Sequence, residues 1–426
     1  MSTNKYLYPF ILVTTLFFLW AFVHNLNPIL IPHLKKACQL SDTQSALIDS
    51  SVYLAYFIVA IPAGLFMQRF GYKKGIFFGL ILFAIGTLLF IPAASARSYL
   101  FFLSALFIIA SGATFLETVA NPYVTFLGDK ETSEQRLNFA QSFNGVGAFI
   151  APILGGQFIL SGIELSKEQL HSMSPDQLNN YLQSEANTVK IPYLIISAVL
   201  LLVALLFLFS KLPEVNESQK DAHPTKFSAI VFRHSHVKWA VIAQFFYVGA
   251  QVGVGSFFVR YSKFLVNMPE KQAALWWGSI AMVGFMVGRF TGTFLMRYIK
   301  PAKLLSLYAL INIILLSFAI AAKGYVAVYA VMAVPFFMSV MFPTIFALGI
   351  KELGEETKLA SSFLVMSIIG GAFAPILMGQ ISDKTGSMQT AYVVPLACFI
   401  PILYFGLKGH KIIKDETLLP GVGLKG

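Results

Sequence analysis

Two cysteines among 426 residues, Cys38 and Cys398, stand too far apart in sequence to make a disulfide framework or a metal-ligand cluster. Charge is equally scarce. Asp, Glu, Lys and Arg make up 12% of the chain, where a soluble domain carries about 25%, so a pair of soluble domains is excluded. There is no His-Glu-x-x-His pair, no nucleotide-binding loop and no Ser/His/Asp set at membrane depth, which argues against a membrane-embedded enzyme. A sensor would need a soluble relay domain, and the sequence suggests none.

What is present is apolar: 57% of residues are hydrophobic and the mean hydropathy is +0.71. Runs of spanning length fall near 8–32, 45–68, 75–95, 99–121, 138–162 and 191–210, and again near 238–262, 272–296, 303–322, 325–349, 360–382 and 389–407. The pattern is that of an all-α polytopic membrane protein with twelve transmembrane helices. The first run is read as a retained helix, because no small-residue cleavage site follows it. A net charge of +11 raises nucleic acid as a partner, but the bases sit in short links between spans (Arg69, Lys73 and Lys74; Arg297, Lys300 and Lys303) and near the C-terminus (Lys408, Lys411 and Lys414). That is the positive-inside distribution; it predicts both termini in the cytoplasm, a cell (inner) membrane location and no nucleic-acid partner.

The polar stretch 211–237 separates two halves. The expected organisation is an N-terminal six-helix bundle over 1–210, a cytoplasmic linker over 211–237, a C-terminal bundle over 238–410 and a tail over 411–426. In the outer loop 163–190, Ser174-Pro175-Asp176 followed by Gln177 predicts a short capped helix. The halves repeat. Gly64 to Phe70 matches Gly292 to Tyr298, Gly147 to Leu154 matches Gly371 to Leu377, and Pro122 matches Pro343, all at offsets near half the chain length. Matches in register indicate two parallel six-helix repeats, a symmetry used by carriers that rock two halves about a midplane site.

Glu117 is the single charge in the run Tyr99–Ala120. Burying it there costs roughly 2.5–3.5 kcal/mol even on lenient scales, which points to a watery cavity where an acid binds a substrate or carries an ion. The competing reading is a structural acid paired with a neighbouring helix. Asn138, Gln141 and Asn144 follow in span five, and Gln244, Tyr247 and Gln251 make a stripe in span seven. Carboxamides and a phenol alternate donors and acceptors and suit a ring of sugar hydroxyls, whereas an exporter of drugs or lipids wants a more apolar pocket. Span one ends in His24-Asn25-Leu26-Asn27-Pro28, where prolines at 28 and 32 predict a kink that frees carbonyls to line a cavity. Polar side chains also serve as plain helix–helix contacts, and Arg260 and Arg289 are expected to snorkel to the interface. Gly64, Arg69, Lys73, Gly292 and Arg297 are candidates for a conformational latch in the two repeated links.

Taken together, Leu116 to Pro122, Asn138 to Asn144, Tyr247 to Gln251, Gly288 to Thr293 and Pro343 to Phe346 resemble motifs of the fucose:proton symporter family within the Major Facilitator Superfamily. The resemblance runs from about Phe17 to Asp383. It implies the Major Facilitator fold in two pseudo-symmetric bundles, monosaccharide import by alternating access, coupling to an ion gradient, no prosthetic cofactor and a monomer in the bilayer. By this resemblance Glu117 is the cavity acid, Gln141 and Asn144 are cavity amides, and Asn25 is the polar position of helix one; Asn27, Asn121, Gln244, Tyr247 and Gln251 complete the expected substrate site. One departure stands out. The family's helix-one acid is replaced by Pro28, which cannot titrate. Glu117 alone, His24 as its substitute, a sodium ion in place of the proton, or uncoupled transport all remain open.

Overall fold

The computed structural model describes residues 3–40, 42–159, 169, 172–213 and 229–412. Linker residues 214–228, the tail beyond 412 and much of the outer loop, on which expected features fall, lie outside the described residues. Those described are all helical, with no strand among them.

Among the described residues, ten helices are long and apolar enough to cross a membrane. One of them, running over 51–96, is 46 residues long and crosses twice. It is divided at Gly71, whose φ of 83° and ψ of 174° lie outside the helical region. A side chain is strained at such a φ, and glycine lets the chain reverse there at little cost. The twelfth crossing is Ser133–Phe158, whose polar stripe keeps it from standing out by hydropathy. The twelve spans predicted from sequence are thus all present as helices, in two bundles of six.

Span one is Thr3–His24, interrupted at Asn25 and Leu26 and continued by Asn27–Ala37. The break falls where the prolines predicted it. Span ten breaks too, between Tyr325–Met338 and Met341–Gly349. Pro343 has no N–H to give the carbonyl of Ser339 four residues earlier, so that oxygen is free for another donor. Spans four (Tyr99–Phe126), seven (Ser235–Val266) and nine (Pro301–Ala321) are continuous.

The repeat is visible in packing. A Cβ on Gly147 of span five would meet the Phe18 carbonyl oxygen of span one at 2.6 Å. Gly370 of span eleven lies equally hard against the Phe245 carbonyl of span seven. In each bundle the first and fifth helices touch backbone to backbone, so the glycine there is required. The outer surface is apolar: span six, Lys190–Phe209, exposes Leu194, Ile195, Leu202 and Leu205 on the face turned away from its bundle.

At the end away from the termini the capped helix appears as predicted. Pro175–Asn187 starts with a full capping box of Ser174 and Gln177. It straps down the continuation of span one through Glu185, which is buried and lies 3.0 Å from Lys36, while His33 Nε2 lies 3.0 Å from the Glu185 carbonyl oxygen. At the opposite end, which carries both termini, the end of the linker forms a short helix, Ala229–Arg233. Its Val231 is buried against Leu359 and Phe363 of span eleven, with Ile61 of span two packed on the same cluster. This segment sits where the halves meet.

Candidate substrate and coupling site

Glu117 lies in span four, eighteen residues from its start, with 7% of its surface exposed. The Tyr56 hydroxyl of span two lies close to its carboxylate. The Arg289 guanidinium of span eight lies within electrostatic reach, yet among the described residues no direct ion pair joins the two. The acid therefore has a neutral phenol beside it and a cation of the other half facing it. It is not clamped.

Below it the predicted amides form a chain. Asn121 Nδ2 donates to the Glu117 carbonyl at 2.8 Å, one helical turn back, and its Oδ1 accepts from Gln141 Nε2 at 2.9 Å. Gln141 in turn accepts from Arg289, through its side-chain Oε1 at 3.2 Å and through its backbone carbonyl. Arg289 Nη1 also reaches Asn144 Oδ1 at 3.3 Å, and its Nε donates at 3.0 Å to the Ser339 carbonyl that Pro343 leaves free. The Arg289 guanidinium lies over the Phe285 ring, 4.7 Å from its centroid. One side chain thus binds the N-terminal bundle at span five to the break of span ten.

Arg289 corrects the sequence expectation: it does not snorkel, being 5% exposed at the centre of the interface. Its position is about 9 Å inside the end of its helix, at 1.5 Å per residue, which is far for a side chain to reach out of. That depth, and the free carbonyl four residues before Pro343, were the signals available. Tyr56 carried none: a tyrosine in an apolar run, with Tyr53 one turn before it, looks like packing.

The span-seven stripe divides. Tyr247 is fully buried beside Phe342 and within electrostatic reach of Arg289, with its hydroxyl unpartnered. Gln244 is fully buried with both amide atoms unpartnered, and Gln251 is half-buried; no hydrogen bond draws either into the Arg289 chain. Asn25 bonds back to the Ala21 carbonyl at 2.7 Å. His24 and Asn27 instead line a pocket with Trp20, Tyr56, Ala113 and Tyr193, inside the N-terminal bundle. Asn138 spans the halves, donating to Thr344 Oγ1 at 3.1 Å.

Among the latch candidates, Gly64 lies against Ser362 and the Lys358 carbonyl of span eleven, across the interface. Gly292 lies against Val340 within its own half. Lys73 donates to the carbonyls of Leu208 and Ser210 at 2.8 Å, where the C-terminal end of span six gathers negative potential. Arg69 and Arg297 stack on Phe70 and Phe294 in their own links. A cross-half ion pair that the sequence did not suggest, Lys351 to the buried Glu134 at 2.6 Å, closes the terminus-bearing end. Among the described residues no group of three His, Cys, Asp or Glu side chains is placed to hold a metal ion.

Comparison with known proteins agrees with this architecture. Residues 11–362 match the family model of the Major Facilitator Superfamily. The chain is 45% identical to the L-fucose-proton symporter of Escherichia coli, over 95% of this chain and 93% of that protein. It is 41% identical to a glucose/galactose transporter of Brucella abortus, over 96% of both. The crystal structure of the transporter FucP in an outward conformation superposes with a TM-score of 0.88 at 45% identity, covering 94% of this chain and 98% of that one. The proton:xylose symporter XylE, at 14% identity and a TM-score of 0.68, shares the fold.

Proposed function

As a chain that belongs to the Major Facilitator Superfamily, we propose that it imports a monosaccharide together with a proton by alternating access, with Glu117 as the group that couples the two. The similar carriers are named for fucose and for glucose or galactose, so a hexose or 6-deoxyhexose is the substrate class. The termini are cytoplasmic in this reading, and the chain acts as a monomer in the lipid bilayer of the inner membrane. The closed end, sealed by Lys351–Glu134 and by the contact at Gly64, then faces the cytoplasm, and the arrangement is outward-facing.

The observation that carries the reading is a carboxylate on one half facing a guanidinium on the other, with amides between. Glu117, Asn121, Gln141 and Asn144 offer a sugar donors and acceptors on one wall, and Tyr247 offers a phenol on the opposite one. Ionised, Glu117 attracts Arg289 across a poorly solvated interface, where a charge pair is worth far more than in water. That attraction holds the cytoplasmic end shut. A proton taken from outside cancels it, so the loaded, protonated carrier can part its halves at Arg289 and open inward. Loss of the proton to the cytoplasm restores the pull and resets the outward form. Rocking opens the Gly64 contact between the halves, while Lys73 at span six and Gly292 at Val340 brace the two repeated links inside their own halves; with Arg69 and Arg297 beside them these links form the latch.

Glu117→Gln keeps the size and hydrogen bonding of the side chain but carries no proton. In proteoliposomes, gradient-driven accumulation of labelled sugar should be abolished while counterflow exchange continues. A variant that still concentrates sugar removes Glu117 from the coupling role. Sodium in place of the proton would show as accumulation driven by an imposed sodium gradient at constant pH.

A further inference from the structure

A second polar feature lies wholly inside the N-terminal bundle. The pocket lined by His24, Asn27 and Tyr56 is walled by spans one, two, three, four and six, with no residue from the C-terminal half. His24 is exposed although it lies within the apolar span Tyr6–Ile31, at the end of the helix that breaks after it, so its imidazole has open space beside it. The pocket has room for about one or two waters, too little for a sugar. Its floor includes Ala113, one turn from Glu117 on the same helix. Tyr56 lines the pocket, and its hydroxyl also lies close to the Glu117 carboxylate.

We propose that His24, pocket water and Tyr56 form a proton path from the outer face to Glu117, running within the N-terminal bundle and apart from the sugar's route between the halves. This rests on the reading of Glu117 as the coupling acid. The titratable groups that line the pocket are His24 from span one, Tyr56 from span two and Tyr193 from span six, whose ring is stacked on Phe90 at 3.9 Å; spans three and four present apolar side chains. Histidine is the side chain among them whose ordinary charge change falls between pH 5 and 8. In the transfer, the His24 imidazolium gives its proton to a pocket water. That water passes one to the Tyr56 oxygen as the Tyr56 O–H proton moves to the Glu117 carboxylate. His24 ends neutral and Glu117 ends as the acid, with Tyr56 and the water unchanged.

The test is the initial rate of proton-driven uptake of labelled L-fucose, D-glucose and D-galactose in proteoliposomes, with external pH varied from 5.5 to 8. Wild type should show an inflection in the imidazole range. His24→Gln should flatten it and cut proton-driven uptake by about tenfold or more. His24→Asp should recover part of the rate, with the inflection moved down towards the carboxylate range. An unmoved inflection in either variant overturns the path, and His24→Asp supplies the answer if His24→Gln does not reach the membrane. Wild-type coupling in His24→Gln beside lost coupling in Glu117→Gln would discard the path and leave the acid's role standing.

Discussion

Arg289 bridges the two halves through several hydrogen bonds at once. It contacts Gln141 and Asn144 on one side and Ser339 on the other, and it does so with a planar fork of donors. Lysine offers a compact ammonium that cannot reach all three positions at once. Truncating one member of a buried, hydrogen-bonded charged network costs about 2–5 kcal/mol, and each 1.4 kcal/mol is about tenfold in an equilibrium or a rate. Arg289→Lys should therefore lower counterflow and accumulation together by about tenfold or more. This differs from Glu117→Gln, which separates them. Counterflow by Arg289→Lys within twofold of wild type would show that the guanidinium is a packing element and not the hinge between halves. At this scale the sequence was legible where a residue was out of place in its run. Glu117 was such a residue, and so were the amides of span five. Tyr56 and Arg289 were not, because a tyrosine in an apolar run and an arginine near a helix end have commonplace explanations, and only the fold brings them beside the acid.

The helices that break and the helix that straps are legible to different degrees. Span one was expected to unwind before Pro28, and it does, at Asn25 and Leu26. Span ten carries the same kind of signal in Pro343, yet its consequence, a carbonyl released to Arg289, depends on a helix far off in sequence. The outer helix Pro175–Asn187 was readable from its capping box, but its docking on Asn27–Ala37 was not, since that requires the fold to bring His33, Lys36 and Glu185 together. That strap has a pH dependence. Burial lowers the affinity of His33 for a proton, and the neighbouring Glu185 only partly offsets this. The unfolded state then binds more protons than the folded one just below the ordinary histidine value of 6.5, so stability contributed by this group is present above that value and is lost as pH falls through it. Hydrogen exchange over 175–187, corrected for the intrinsic rate, should show less protection at pH 5 than at pH 7.5. His33→Asn should remove most of that difference. Equal protection at the two pH values would mean that His33 does not govern the strap.

Across the whole molecule, two similar bundles each bring a buried charge to their interface, Glu117 from one and Arg289 from the other. The repeat read from Gly64 and Gly292, Gly147 and Gly371, and Pro122 and Pro343 describes the symmetric scaffold, and the backbone contacts at Gly147 and Gly370 realise it. What does the work departs from that symmetry. Glu117 is on span four with Met338 near the corresponding position of span ten, and Arg289 is on span eight with Ile61 in the corresponding place of span two. The scaffold was legible because hydropathy and repeats act locally along the chain. The pairing of acid and base across the interface was not, because it exists only once both bundles have folded and closed on each other. The central claim is that sugar and proton cross together through this pairing. The most direct measurement is the internal pH of proteoliposomes, read by a trapped dye, when unlabelled sugar is added outside with no gradient imposed. The account predicts that sugar acidifies the lumen in wild type and leaves it unchanged with Glu117→Gln; sugar entry into wild-type vesicles at constant internal pH would contradict it.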